Sequence, residues 1–314
     1  MKLERIMAFV VGGAILAYLF SKIEFVKIKE AALSLNPVYM LAFFLVLAVT
    51  VALKGAKWRM SLGIFRIRTT LISAIEMWLI GFSIGSATPG RVGDFVKIAY
   101  LDEKKTKSIG AILLDRVTDV FTVLFFAILG LLVFGEAFGA TKAIVALAVA
   151  ALLIGAIIAR KYYRQISGIL LRHLVPEKYR AYLKSGASDF MGSVKDALKH
   201  KGRIISVFML SAFIWMFSII QAMIIAKALE INVSYFSLLF IMSIVAIVEL
   251  IPVTVAGLGT REATIVFLMS FLGIGSEKAI VFSLLNFFFG SLVLVAVGYV
   301  FWMRNPIRIA HKDI

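Results

Sequence analysis

The stretch "TPGRVGDF", residues 88–95, decides how the chain is read. It follows Leu71–Ala87, seventeen mostly apolar residues, and interrupts what would otherwise be a membrane span. Proline lacks the N–H a helix needs and clashes with the preceding turn, and glycine leaves the backbone unrestrained. Pro89, Gly90 and Gly93 therefore halt a helix where Arg91 and Asp94 sit. Charge and non-helical backbone at membrane depth are tolerated only inside protein or around a water-filled cavity.

The rest of the chain makes the membrane setting plain. Hydrophobic residues are 61% of the 314, and the mean hydropathy is +0.99. A soluble domain cannot bury that much apolar surface. Ile6–Phe20 has no small-residue cleavage site after it and does not read as a signal peptide. The net charge of +16 fits basic loops beside anionic lipid, and no basic domain stands free to bind nucleic acid. There is no cysteine, which excludes disulfides and thiolate chemistry; three histidines in polar segments give no basis for a metal site or a cofactor.

Full spans are predicted at about Ile6–Phe25, Val38–Leu53, Ile109–Phe134, Ala143–Ala159, Ile204–Ala226 and Ala279–Trp302. Two apolar regions are broken instead: Leu71–Leu101 at Pro89, Gly90 and Gly93, and Leu238–Leu272 at Pro252, Gly257 and Gly259. Charge selects the topology. Arg160–Arg203 carries eleven basic residues against three acids, and Lys54–Arg68 carries five basic residues and no acid, so both belong in the cytoplasm. Leu71–Leu101 then enters and leaves on the inner face, and Leu238–Leu272 on the outer face. Both are predicted re-entrant hairpins. With both termini cytoplasmic, the inner segments hold 24 basic residues and the outer ones 6. Residues 160–203 mix bases with apolar residues and read as a cytoplasmic amphipathic segment.

The chain thus predicts a single all-α polytopic membrane domain, 1–314. It has about six full spans and two hairpins, arranged as an inverted repeat of 1–136 and 137–314. Paired Gly/Pro-broken segments in inverted halves point to a binding site at the membrane midplane.

Four basic residues fall outside the predicted loops: Arg91, Lys97, Arg116 and Arg261. So do six acids: Glu76, Asp94, Asp115, Asp119, Glu249 and Glu262. Helices are expected to open at Asp94 or its neighbours and at Thr260, where exposed N–H groups attract anions. Arg91 and Arg261 add planar forks suited to phosphate. They read either as a headgroup site or as salt bridges holding the hairpins. "LLDRVTD" puts Asp115 and Asp119 on one face, with Asp119 about 15 Å deep when counted from Ile109 at 1.5 Å per residue. Arg116 reaches either Asp119 or the first hairpin. Glu76 and Asn286 read as packing contacts between helices.

"TPGRVGDFVKIAYL", "LLDRVTDV" and "PVTVAGLGTREA", in this order, resemble the lysylphosphatidylglycerol synthase transmembrane family. This is the flippase-like domain of the bacterial MprF proteins and of stand-alone relatives. The resemblance covers nearly the whole chain and implies re-entrant helices and movement of a lipid between leaflets. Its motif residues fall on Gly90, Arg91, Gly93, Asp94, Asp115, Arg116, Asp119, Gly257, Gly259, Arg261 and Glu262. The soluble aminoacyl-transferase domain of the bifunctional members has no counterpart in 314 residues, so lysylated lipid is not implied.

The expected function is a flippase or scramblase-type lipid transporter of the cell membrane, not an enzyme. It would take a phospholipid or lipid-linked headgroup into a polar cavity with no cofactor or metal. Arg91, Asp94, Asp115, Arg116, Asp119, Glu249, Arg261 and Glu262 are its candidate binding residues. Pro89, Gly90, Gly93, Pro252, Gly257 and Gly259 shape the hairpin tips. The alternatives are a membrane enzyme or accessory protein of lipid-linked glycosylation or headgroup modification, and a small-solute or ion transporter.

Overall fold

A computed structural model describes residues 35–86, 88–101, 103, 105–134, 192, 195–250, 257 and 259–304. The predicted spans Ile6–Phe25 and Ala143–Ala159, Pro252, both termini and most of 160–203 lie outside the described residues. Every described element is helical: α1 (Pro37–Ile64), α2 (Leu71–Ser86), a 3₁₀ arm (Pro89–Tyr100), α3 (Lys105–Phe134), α4 (Lys201–Ala228), α5 (Tyr235–Leu250), α6 (Thr260–Ser270), α7 (Ser276–Leu285), a π-turn (Asn286–Leu292) and α8 (Val293–Arg304). Three stretches are long and apolar enough to cross a membrane: 37–64, 201–228 and 276–304. This is an all-α membrane protein.

The same local structures recur at a fixed distance along the chain. Adding 164 carries Pro37 to Lys201 and Leu71 to Tyr235, and pairs two helices of 28 residues and two of 16. The ends of α1 and α4 close identically. Arg66 and Glu230 take positive φ, 60° and 54°. The next N–H reaches back to the last turn, Ile67 to Leu62 O at 3.0 Å and Ile231 to Ala226 O at 2.8 Å. This is the bonding that satisfies a helix's last carbonyls through a left-handed residue. The following helices open alike: Ser73 N–H donates to Thr70 Oγ1 at 3.2 Å, and Ser237 N–H to Ser234 Oγ at 3.0 Å. These are N-terminal caps, satisfying donors left over at a helix start.

Packing follows the same scheme. α1 lies against α4, α2 against α8, and α5 against α3. Each hairpin's first arm thus packs on the other half's last helix. At both contacts a glycine gives the room: a Cβ on Gly298 would collide with Leu79 and Ser83, and one on Gly130 with Phe240.

Two predicted boundaries need correction. α1 does not stop at Leu53 but runs to Ile64, carrying Lys54, Lys57 and Arg59 on the helix. Gly55 lets it continue there, because a Cβ would strike Ile75 of α2. At 1.5 Å per residue, 28 residues make about 42 Å, longer than the ~30 Å hydrocarbon layer. The basic run Lys54–Arg68 is therefore not a loop. The expected helix openings also move. The first is at Pro89 rather than Asp94, and the second has Gly259, φ 85°, as its cap with Thr260 already helical.

In the first hairpin the chain reverses and returns along α2. Gly93 lies against Ile84, Asp94 against Gly85 and Lys97 against Gly81, so the arms run antiparallel. The approach is close at the tip, where a Cβ on Gly93 would sit 2.5 Å from Ile84 O. Thr88 Oγ1 accepts from Gly93 N–H at 2.8 Å and fixes the turn.

Candidate functional site

The ionisable residues of the interior form two groups. The first joins α1, the 3₁₀ arm, α3 and α4. Asp94 is 2% exposed and receives Nε of Arg116 at 2.7 Å, with Nη2 also on Oδ2. Lys97, fully buried, stands 3.1 Å from Asp94 Oδ1 without hydrogen-bond geometry, and its ammonium lies 4.7 Å from the Trp58 ring centre. Lys57, 3% exposed, contacts Asp119 Oδ1 at 2.6 Å, Asp115 Oδ1 at 3.2 Å and Asp115 O at 2.9 Å. Ser211 of α4 donates to the same Asp119 oxygen at 2.7 Å. Three carboxylates meet three cations. Pairing of this kind offsets the large cost of removing each charge from water.

Arg116 therefore reaches the first hairpin and not Asp119. Asp119 is served by Lys57, which the reading of Lys54–Arg68 as a loop placed outside the membrane. The signal was present in the sequence. Lys54, Lys57 and Trp58 continue the face of Thr50 at helical spacing, with no proline between.

The second group belongs to the second hairpin. Glu262, fully buried at the third position of α6, accepts Gly259 N–H at 2.6 Å. Arg261 Nε donates to Glu262 Oε1 at 3.0 Å, and Nη2 contacts the same oxygen. Ser283 Oγ reaches that oxygen at 3.3 Å. Arg261 Nη1 is 3.9 Å from Glu249 Oε1, and the guanidinium lies over Phe287 at 4.4 Å. Gly257 takes φ +70°, and Glu249 packs where its Cβ would be.

Between the hairpins lies a cavity of about 200 Å³. Its walls come from α1 (Thr50, Lys54), α2 (Trp78, Phe82), α4 (Trp215, Gln221), α5 (Met242, Glu249), α6 (Arg261) and the π-turn (Asn286, Phe287, Gly290). Lys54 Nζ also lies 5.1 Å from the Trp78 ring centre. π-turns widen a helix and occur chiefly at functional sites. Here one carries cavity-lining residues.

Of the predicted binding residues, Glu249 and Arg261 line this cavity. Asp94, Asp115, Arg116 and Asp119 gather in the first group, and Glu262 backs Arg261. Pro89, Gly90 and Arg91 lie in the 3₁₀ arm by their backbone, and their side chains fall outside the described residues. Lys54, Gln221 and Asn286 line the cavity beyond the expected set; Asn286 had been read as a packing contact.

Long apolar helices, broken hairpins and charges paired in the interior define a helical integral membrane protein with a polar cavity. The profile of the family described as "Lysylphosphatidylglycerol synthase TM region" matches residues 5–298, and the chain belongs to that family. It is similar to a UPF0104 membrane protein of Methanothermobacter thermautotrophicus, 22% identical over 296 residues, covering 87% of each chain. It is also similar to a UPF0104 membrane protein of Pyrococcus horikoshii, 23% identical over 270 residues, 78% of this chain and 80% of the relative. No solved structure matches it.

Proposed function

We propose that this protein is a lipid transporter of the flippase or scramblase type, in which the polar headgroup enters the cavity while the acyl chains stay in the bilayer. The observation that carries the reading is the cavity itself. It lies between two broken hairpins and joins Lys54, Glu249 and Arg261 to aromatic walls. At about 200 Å³ it holds roughly six waters at ~30 Å³ each, room for a headgroup and not for a whole lipid. Two cations and one carboxylate suit a headgroup with a phosphate and a cationic part. The lipid-related family supports the same reading.

The hairpins are re-entrant and the halves inverted, with both termini in the cytoplasm. The recurrence at 164 residues and the reciprocal packing of hairpin and last helix support this. Arg91, at the tip of the first hairpin, and Arg261 meet the headgroup from opposite sides. No chemical step is assigned to the protein.

The test is leaflet exchange of a fluorescent phospholipid in proteoliposomes. Wild-type protein should exceed protein-free vesicles, and Arg261→Ala with Glu249→Gln should bring the rate back to theirs. Exchange at the wild-type rate in that folded double variant would reject the cavity as the headgroup site.

A further inference from the structure

The recurrence pairs residues across the two halves, and one pair does not behave alike. Adding 164 carries Lys57 to Gln221. Lys57 is held by two carboxylates of α3, Asp115 and Asp119. Gln221 is nine-tenths buried and lines the cavity, and its Nε2 has no hydrogen-bond partner. The last helices explain why. Counted from Lys105 and from Ser276, the eleventh residues are Asp115 and Asn286 and the fifteenth are Asp119 and Gly290. The second half thus has an amide and a glycine where the first has its two carboxylates. Both line the cavity. An anion supplied by the protein in one half is missing from the other, and the space is open.

We propose that a phosphate-type oxyanion of the ligand takes the place that the Asp119 carboxylate fills in the first half, received by Gln221, Arg261 and Lys54. This rests on the cavity being a ligand site, as read above. A buried amide without a partner costs roughly 1–3 kcal/mol, and an oxyanion accepts from it. The amide's two ends exchange by a half-turn, so the NH₂ is free to face the ligand. Arg261 supplies a forked donor and Lys54 a point charge, the two forms of cation that bind phosphate. Gly290 keeps the place open: a Cβ there meets only Phe43 Cζ, at 3.8 Å.

The chemistry is shared by a lipid phosphodiester and by free phosphate. Purified protein in nanodiscs of a neutral, phosphate-free lipid is titrated with glycerophosphoglycerol and, separately, with inorganic phosphate. The fluorescence of Trp78 and Trp215, both in the cavity wall, reports binding. Saturable binding of the diester, with or without phosphate, is expected and identifies a headgroup. Binding of phosphate alone keeps the oxyanion site but makes the ligand a free anion, and then the lipid-transport reading fails while this inference stands. Binding of neither probe overturns the inference.

Two variants test the place itself. Gly290→Asp installs the missing carboxylate and should weaken binding at least ten-fold while raising the melting temperature, since it supplies the cations with an internal partner. Gln221→Leu removes the donor at similar volume and should weaken binding at least ten-fold without loss of stability. Wild-type affinity in either folded variant overturns the assignment. Loss of melting temperature in Gly290→Asp, with binding kept in Gln221→Leu, does so as well.

Discussion

Lys97 and Arg261 sit 164 residues apart at the same place in two hairpins, and they do different work. Lys97 is sealed: no part of it is exposed, it faces Asp94, and Trp58 covers it. Arg261 is tied to its neighbour Glu262 but also forms a wall of the cavity and faces Glu249 across it. Around Lys97 the first half closes three carboxylates on three cations. Around Arg261 the second half leaves an amide unpaired and a glycine where a carboxylate would fit. One architecture therefore serves as a lock on one side and as a receptor on the other. The first half fixes the helices against each other; the second leaves the charge balance to be completed.

The comparison breaks most sharply on topology, where the outcome is all or none. Lys105 and Ser276 open the corresponding last helices and are both exposed. The chain has no cysteine, so single substitutions label cleanly. Lys105→Cys should react only from the cytoplasm and Ser276→Cys only from outside. Labelling of both from one side would end the inverted-repeat reading.

Next in size is the lock. Asp94→Ala leaves Lys97 and Arg116 without their carboxylate, and breaking a buried pair costs about 3–5 kcal/mol. Folded yield and melting temperature in mild detergent should fall steeply. Arg261→Ala leaves Glu262 with Gly259 N–H and Ser283 and should cost about 1–3 kcal/mol. Equal losses would show that the two hairpins are not specialised.

The finest contrast is between two lysines one turn apart. Lys57→Met strands Asp119 and Asp115 and should lower stability by a few kcal/mol. Lys54→Met, in the cavity wall, should change stability by less than about 1 kcal/mol while lowering lipid exchange. The reverse pattern would exchange the roles assigned to the lock and the cavity.

The membrane class, the broken hairpins and most of the candidate charges were legible in the sequence, because apolar length and Gly/Pro breaks act locally. Arg261 and Glu249 were found by asking which charges no loop explains. That question missed Lys57 and Lys54. Positive-inside counting assigns a basic run to the nearest loop, and it cannot see that a helix carries on through Gly55 when a neighbour packs against it. It also left Arg116 between Asp119 and the hairpin, since that choice depends on Lys57 claiming Asp119 first. Gln221 was silent for another reason. A lone glutamine in an apolar helix draws notice only when its counterpart 164 residues away is known to hold a charge pair.

The central claim is that the headgroup passes through the cavity between the hairpins, and the most direct measurement fills that cavity without touching a charge. Gly290→Leu puts a side chain into the open space, where a Cβ at Gly290 has only Phe43 near it. Leaflet exchange of labelled phospholipid is compared for this variant and wild type at equal folded protein. The cavity reading predicts a fall of at least ten-fold with little change in melting temperature. Exchange at the wild-type rate in the plugged, folded protein would contradict it.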